Sequence, residues 1–150
     1  MTQNNSTDEV EISKQYYTSG ALWWVSQYVK GRMHGTEKGY YESGALSWET
    51  SYKNGKPHGL LKHYYASGVI NWLVPYVNGN KHGIERNYYE SGALAREAPY
   101  VTGTLHGIEK NYENSDRSII NYVALYKKGQ RIASIKVNMN EDQPWFGIVP

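Results

Sequence analysis

The sequence predicts an all-β protein, an elongated and twisted antiparallel meander of 24-residue β-hairpin repeats. Three observations predict it. The dipeptide His-Gly recurs at His34-Gly35, His58-Gly59, His82-Gly83 and His106-Gly107, each 24 residues after the last. The same interval relates Tyr16, Tyr40, Tyr64, Tyr88 and Tyr112, and also Gly31, Gly55, Gly79 and Gly103. Between these landmarks residue types alternate and aromatics are frequent, with no helical period.

One unit holds two strands. The stretches Gly35 to Tyr41 and Ala45 to Tyr52 alternate as half-buried strands do. Ser43-Gly44 reads as a two-residue loop, with glycine supplying positive φ, so that Tyr41 is expected opposite Leu46. Asn54-Gly55 and Asn78-Gly79 supply the second turn of successive units. The expectation is ten or eleven strands, spanning roughly 50 Å at about 4.8 Å per strand. After Tyr112 the pattern degrades: Asn114-Ser115-Asp116 replaces the Ser-Gly turn, and two extra residues delay Tyr126 and Gly129. Residues 1–11 are read as a flexible tail, 12–132 as the repeat array and 133–150 as a C-terminal cap or tail.

Alternation assigns the faces. One is expected to carry Tyr17, Tyr41, Tyr65 and Tyr89, then Leu22, Leu46, Ile70 and Leu94, then Trp24, Trp48 and Trp72 followed by Arg96. The other carries Tyr16, Tyr40, Tyr64, Tyr88 and Tyr112 with a basic column of Lys14, Lys38, Lys62, Arg86 and Lys110. Lys38 falls opposite Glu49 and Arg86 opposite Glu97, as ordinary cross-strand ion pairs.

Composition narrows the function classes. With 150 residues the chain is one domain or one array. Only 28 residues are Val, Leu, Ile or Phe, but 15 Tyr and 5 Trp supply apolar area without a thick aliphatic core. A net charge of +2 does not mark a nucleic-acid binder. Cysteine is absent, which removes disulfides, thiolate metal sites and cysteine nucleophiles. The start, Met1 to Val10, is polar without a signal-peptide pattern, and no apolar run is long enough to cross a bilayer, so the cytoplasm is the expected address.

The unit from Tyr40-Tyr41-Glu42-Ser43-Gly44-Ala45-Leu46 through Tyr52-Lys53-Asn54-Gly55-Lys56-Pro57-His58-Gly59 resembles the bacterial variant of the MORN repeat. Four good copies and a degraded fifth cover about residues 14–132. The resemblance implies a non-catalytic antitoxin or immunity protein paired with a polymorphic toxin, and supplies no catalytic motif. Eukaryotic MORN proteins, linked to membranes and phosphoinositide kinases, are more loosely similar. They imply the alternative of a peripheral membrane, phosphoinositide-binding or scaffolding module.

The residues themselves point the same way. Successive repeat histidines are about 9.5 Å apart, whereas two ligands of one zinc ion lie within roughly 4 Å, so no ion is shared and the histidines are expected at strand ends or turns. His63 has no carboxylate or second histidine in predictable reach, and no serine sits before an Asp-His pair. No catalytic, cofactor or metal site is expected. Glu37, Glu85 and Glu109 directly precede the basic residues and dilute their field, which argues against nucleic acid and anionic lipid. Ladder aromatics are read mainly as scaffold, so specificity for a cognate toxin must come from breaks in the repeat. Leu61 stands where other copies have Glu, His63 where they have Gly or Asn, and Arg96 ends the tryptophan column. The expected partner footprint is Trp48, Leu61, His63, Trp72 and Arg96. Trp23 is a separate break on the opposite face.

Overall fold

A computed structural model describes residues 9–115, 119–140 and 143–149. Residues 1–8 of the expected tail, Asp116 of the degraded turn and residues 141, 142 and 150 of the expected cap lie outside them. The strands are β1 (Val10–Tyr16), β2 (Leu22–Val29), β3 (Arg32–Met33), β4 (Gly35–Tyr40), β5 (Leu46–Lys53), β6 (Lys56–Pro57), β7 (Gly59–Tyr64) and β8 (Ile70–Val77). They continue as β9 (Asn80–Lys81), β10 (Gly83–Tyr88), β11 (Leu94–Val101), β12 (Thr104–Leu105), β13 (Gly107–Tyr112), β14 (Ile120–Lys127), β15 (Gln130–Asn140) and β16 (Gln143–Val149). All belong to one open antiparallel sheet that runs in chain order from β1 to β16. The all-β meander of repeated hairpins is therefore what the chain adopts.

The sheet has sixteen strands rather than ten or eleven, and four of the additional ones are two-residue pieces with a local cause. In each unit the chain leaves an Asn-Gly-type turn, pairs for two residues, kinks at His-Gly and then resumes pairing with the same neighbour. Tyr76 pairs with Lys81 and Val77 with Asn80, the His82 N–H donates to the Pro75 carbonyl, and beyond the kink Leu73 pairs with Arg86. The kink requires glycine: Gly83 has φ +108° and Gly107 φ +110°. A Cβ there would lie 3.1 and 3.0 Å from the Cγ of Pro75 and Pro99. The repeated His-Gly is thus a bulge that re-aims the strand, with the histidines at the kinks. At the turn before it, Asn54 and Gly55 both hold positive φ (53° and 77°), as the two central residues of a type I′ hairpin turn must.

The Ser-Gly hairpin differs from the expected two-residue loop. The Tyr41 N–H donates to the Ala45 carbonyl and the Gly44 N–H to the Tyr41 carbonyl, so the loop runs from Tyr41 to Ala45. Tyr40, not Tyr41, is the partner of Leu46, while Gly39 pairs with Trp48, which leaves Ser47 as an extra residue. The expected Tyr41–Leu46 pairing is corrected accordingly, and the leucine ladder moves into register with Tyr16, Tyr40, Tyr64 and Tyr88. Tyr17, Tyr41, Tyr65 and Tyr89 instead reach forward one unit. Their hydroxyls donate to the carbonyls of Tyr40, Tyr64, Tyr88 and Tyr112 at 2.6–2.9 Å. Each hairpin is thereby pinned to the next by a hydrogen bond that the 24-residue repeat renews.

The core is mainly a single row on the tryptophan face, with Tyr112 buried on the other. Ser26, Thr50, Val74, Ala98 and Ala124 are buried although no second layer covers them. Four of them sit between two large aromatics on their own strand, such as Trp48 and Tyr52 about Thr50 or Trp72 and Tyr76 about Val74, while Ala98 sits between Arg96 and Tyr100. Small residues in the middle let flanking rings lean over them. This is how a chain poor in aliphatics excludes water from a thin sheet.

Candidate functional site

Cross-strand pairing places the expected footprint on this tryptophan face. Trp48 pairs with His63 and His63 with Trp72, so the three rings form a contiguous row. Ring centroids are 6.4 Å apart for Trp48–His63 and 5.5 Å for His63–Trp72. Burial between the two indoles holds the His63 imidazole below its ordinary value. Leu61, opposite Val74, lies one row away on the same face. Arg96 is separated from Trp72 by Asn87 along the row. All five side chains are half-buried rather than open to solvent. Trp23 is exposed beside Tyr17, with ring centroids 6.1 Å apart.

Arg96 is engaged within the chain. Its guanidinium contacts Glu85 at 2.8 Å through Nη1 and Glu109 at 2.5 Å through Nε. Both carboxylates are buried, and Glu85 also takes Lys81 Nζ at 2.5 Å. The Lys81 ammonium lies 5.1 Å from the Trp72 ring centroid and 4.9 Å from that of Tyr100. The result is a chain of alternating charge, Lys81–Glu85–Arg96–Glu109, on the half of the face where the tryptophans stop. Glu37, Glu85 and Glu109 therefore do not share the face of the basic column; residues adjacent along a strand point to opposite sides. Glu37 accepts a 2.9 Å hydrogen bond from Ser26 Oγ on the tryptophan face. Burial, with the charge of Glu37 and its hydrogen bond, pushes the Tyr52 phenol up to about 12. This ionic chain escapes a reading made strand by strand. Its signal was nonetheless available: Lys81 stands where the other units have Met33, Pro57 and Leu105.

The opposite, lysine-bearing face follows the expected register. Lys38 pairs with Glu49 and Arg86 with Glu97. Lys62 binds Glu49 more closely, at 2.8 Å against 3.8 Å for Lys38, and Arg86 meets Glu97 at 2.9 Å. Tyr64 and Tyr112 donate to the same two carboxylates at 3.0 Å. The Lys62 hydrogen bond holds the Glu49 carboxyl below its usual range, with Tyr64 and the charge of Lys38 adding to it against the cost of burial. Both acids are thus engaged by neighbours on their own face.

Among the described residues no group of three or more His, Asp or Glu is placed to hold a metal ion. No helix among them is long and apolar enough to cross a membrane. The described residues present two extended sheet faces. The family model described as the MORN repeat variant matches residues 33–54, 57–78 and 81–102, so the chain carries three of these repeats in register with the hairpins. No curated protein matches the chain. MORN repeats suggest a protein-interaction or scaffolding module, typically a non-catalytic one.

Proposed function

We propose that this chain is a non-catalytic immunity protein or antitoxin that binds a cognate toxin in the cytoplasm and blocks it by occupying its surface. The observation that carries the reading is the engagement of the acids in the middle of the sheet. Glu37, Glu49, Glu85, Glu97 and Glu109 are held by Lys, Arg, Tyr or Ser partners, which favours rigidity and shape over proton transfer. A rigid sheet with a large exposed surface suits tight binding, because little ordering entropy is lost on docking. The alternative of a phosphoinositide-binding module is less well supported. Lys38, Lys62 and Arg86, three members of the basic column, are already paired with Glu49 and Glu97.

The test is co-expression with the product of the adjoining reading frame in a host that this product poisons. Restored growth, together with a complex that survives gel filtration, is the expected result. Unrelieved toxicity without a complex removes the reading. Flotation with anionic vesicles at physiological salt decides the alternative: recovery of the protein with the vesicles would favour a membrane module.

A further inference from the structure

The lysine face changes chemistry part-way along the array, and the scaffold does not require the change. One cross-strand row reads Ile12, Gln27, Thr36 and Ser51 in the early hairpins, apolar at the edge strand and polar over the next three positions. At the equivalent positions the later hairpins carry Leu60–Pro75, Ile84–Pro99 and Ile108–Leu125 as directly paired residues. Polar and apolar versions adopt the same hairpin in the same register, so pairing does not explain the apolar side chains. Burial does not explain them either. Leu60, Ile84, Ile108 and Leu125 remain 39%, 42%, 52% and 43% exposed. Val77 and Val101, two residues further along their strands and on the same face, are exposed as well. The two prolines have a partial internal role, since they pack against Gly83 and Gly107. Apolar side chains aligned across six strands form a contiguous exposed patch, and contiguous apolar patches on a monomer often mark a functional surface.

Charge defines what fits there. The patch is bordered on its own face by Lys62 and Arg86, each ion-paired, and by Lys53, Lys110 and Lys127, which make no ion pair among the described residues. The carboxylates on this side are Glu49 and Glu97, and both are already taken. The rim is positive. A second copy of the chain would bring the same charge and be repelled, whereas an apolar ridge edged by Asp or Glu would be drawn in.

We propose that the stripe Leu60–Pro75–Ile84–Pro99–Ile108–Leu125 is the docking surface for a protein partner that presents an apolar ridge flanked by carboxylates. This rests on the reading that the partner is a toxin, and it places the contact on the face opposite the tryptophan row. The early hairpins supply safe substitutions, because Thr36 already occupies the position of Leu60, Ile84 and Ile108. The experiment measures affinity between this chain and a catalytically dead form of the product of the adjoining reading frame. The wild type is compared with Leu60→Thr/Ile84→Thr/Ile108→Thr, with Lys53→Glu/Lys110→Glu/Lys127→Glu, and with His63→Asn on the tryptophan face, each checked for parental melting. The threonine variant is expected to bind about a hundredfold more weakly or worse. The glutamate variant should associate more slowly and lose the salt dependence of the wild type. His63→Asn should bind like the wild type. If the wild type forms a complex but the threonine variant retains its affinity, the stripe is not the docking surface and the toxin reading stands. A wild-type affinity unmoved by salt overturns the acidic rim. Absence of any wild-type complex overturns both the toxin reading and the stripe.

Discussion

Removing the Arg96 guanidinium should destabilise the array more than removing any surface cation of the lysine face. Arg96 bridges Glu85 at 2.8 Å and Glu109 at 2.5 Å, and the two acidic side chains are only 5% and 10% exposed. Stripping the cation from a buried ion pair costs about 3–5 kcal/mol, because the desolvated carboxylate is left uncompensated. Here Lys81 stays on Glu85, and the Arg96 side chain is itself 29% exposed. Arg96→Ala is therefore expected to cost about 2–3 kcal/mol, at or just below the bottom of that range after discounting for solvent. Thermal and urea melts of the full chain at neutral pH measure it. The repeat provides its own rescue, since the equivalent of Arg96 is tryptophan in Trp24, Trp48 and Trp72, and the equivalent of Glu85 and Glu109 is Leu61. Arg96→Trp alone should be destabilising, whereas Arg96→Trp/Glu85→Leu/Glu109→Leu should recover most of the loss. If Arg96→Ala melts like the parent, the ionic chain does not hold this half of the face together and Arg96 is free to serve a partner.

Four further outcomes follow from the same geometry. Tyr41→Phe deletes the 2.6 Å bond to the Tyr64 carbonyl and should cost about 1 kcal/mol in a denaturant melt. Gly107→Ala must place a methyl at φ +110° against Pro99 Cγ, and a melt should show about 1–3 kcal/mol lost. His63 has a folded pKa below its unfolded value of 6.5, so its contribution is present above pH 6.5 and is lost as pH falls through the lowered value. His63→Asn should flatten that part of the stability–pH curve. Glu49 is likewise depressed, chiefly by Lys62, so its contribution is full above 4.5 and disappears as acid titrates it; Glu49→Gln should remove this acid-limb loss.

The hairpin array was legible because its determinants are local and repeated. Asn-Gly turns, Ser-Gly turns and alternating aromatics each act within a few residues, and 24-residue recurrence multiplies the signal. The Lys38–Glu49 and Arg86–Glu97 pairs were legible for the same reason, since a hairpin register fixes them. The loop at Ser43-Gly44 was less so. Whether glycine closes a two-residue turn or a longer one depends on where an extra residue is absorbed, and Ser47 absorbs it here. The two-residue strands arise at His-Gly bulges, whose positive φ no alternation pattern reports. The surroundings of Arg96 were also hidden. Lys81, Glu85 and Glu109 come from other strands, and their meeting depends on the register between hairpins. Comparing equivalent positions across units, rather than neighbours along the chain, exposes both the ionic chain and the apolar stripe.

The claim that this sheet works by docking a protein on its lysine face is tested most directly by methyl resonances. The two faces share one backbone, so only side chains tell them apart. In a chain labelled at Ile, Leu and Val methyls, the inactive product of the adjoining reading frame is titrated in. Leu60, Ile84, Ile108 and Leu125 are expected to shift or broaden as the complex forms, while Leu61 and Val74 on the tryptophan face stay unchanged. The account is contradicted if Leu61 and Val74 respond and the four exposed aliphatic residues do not.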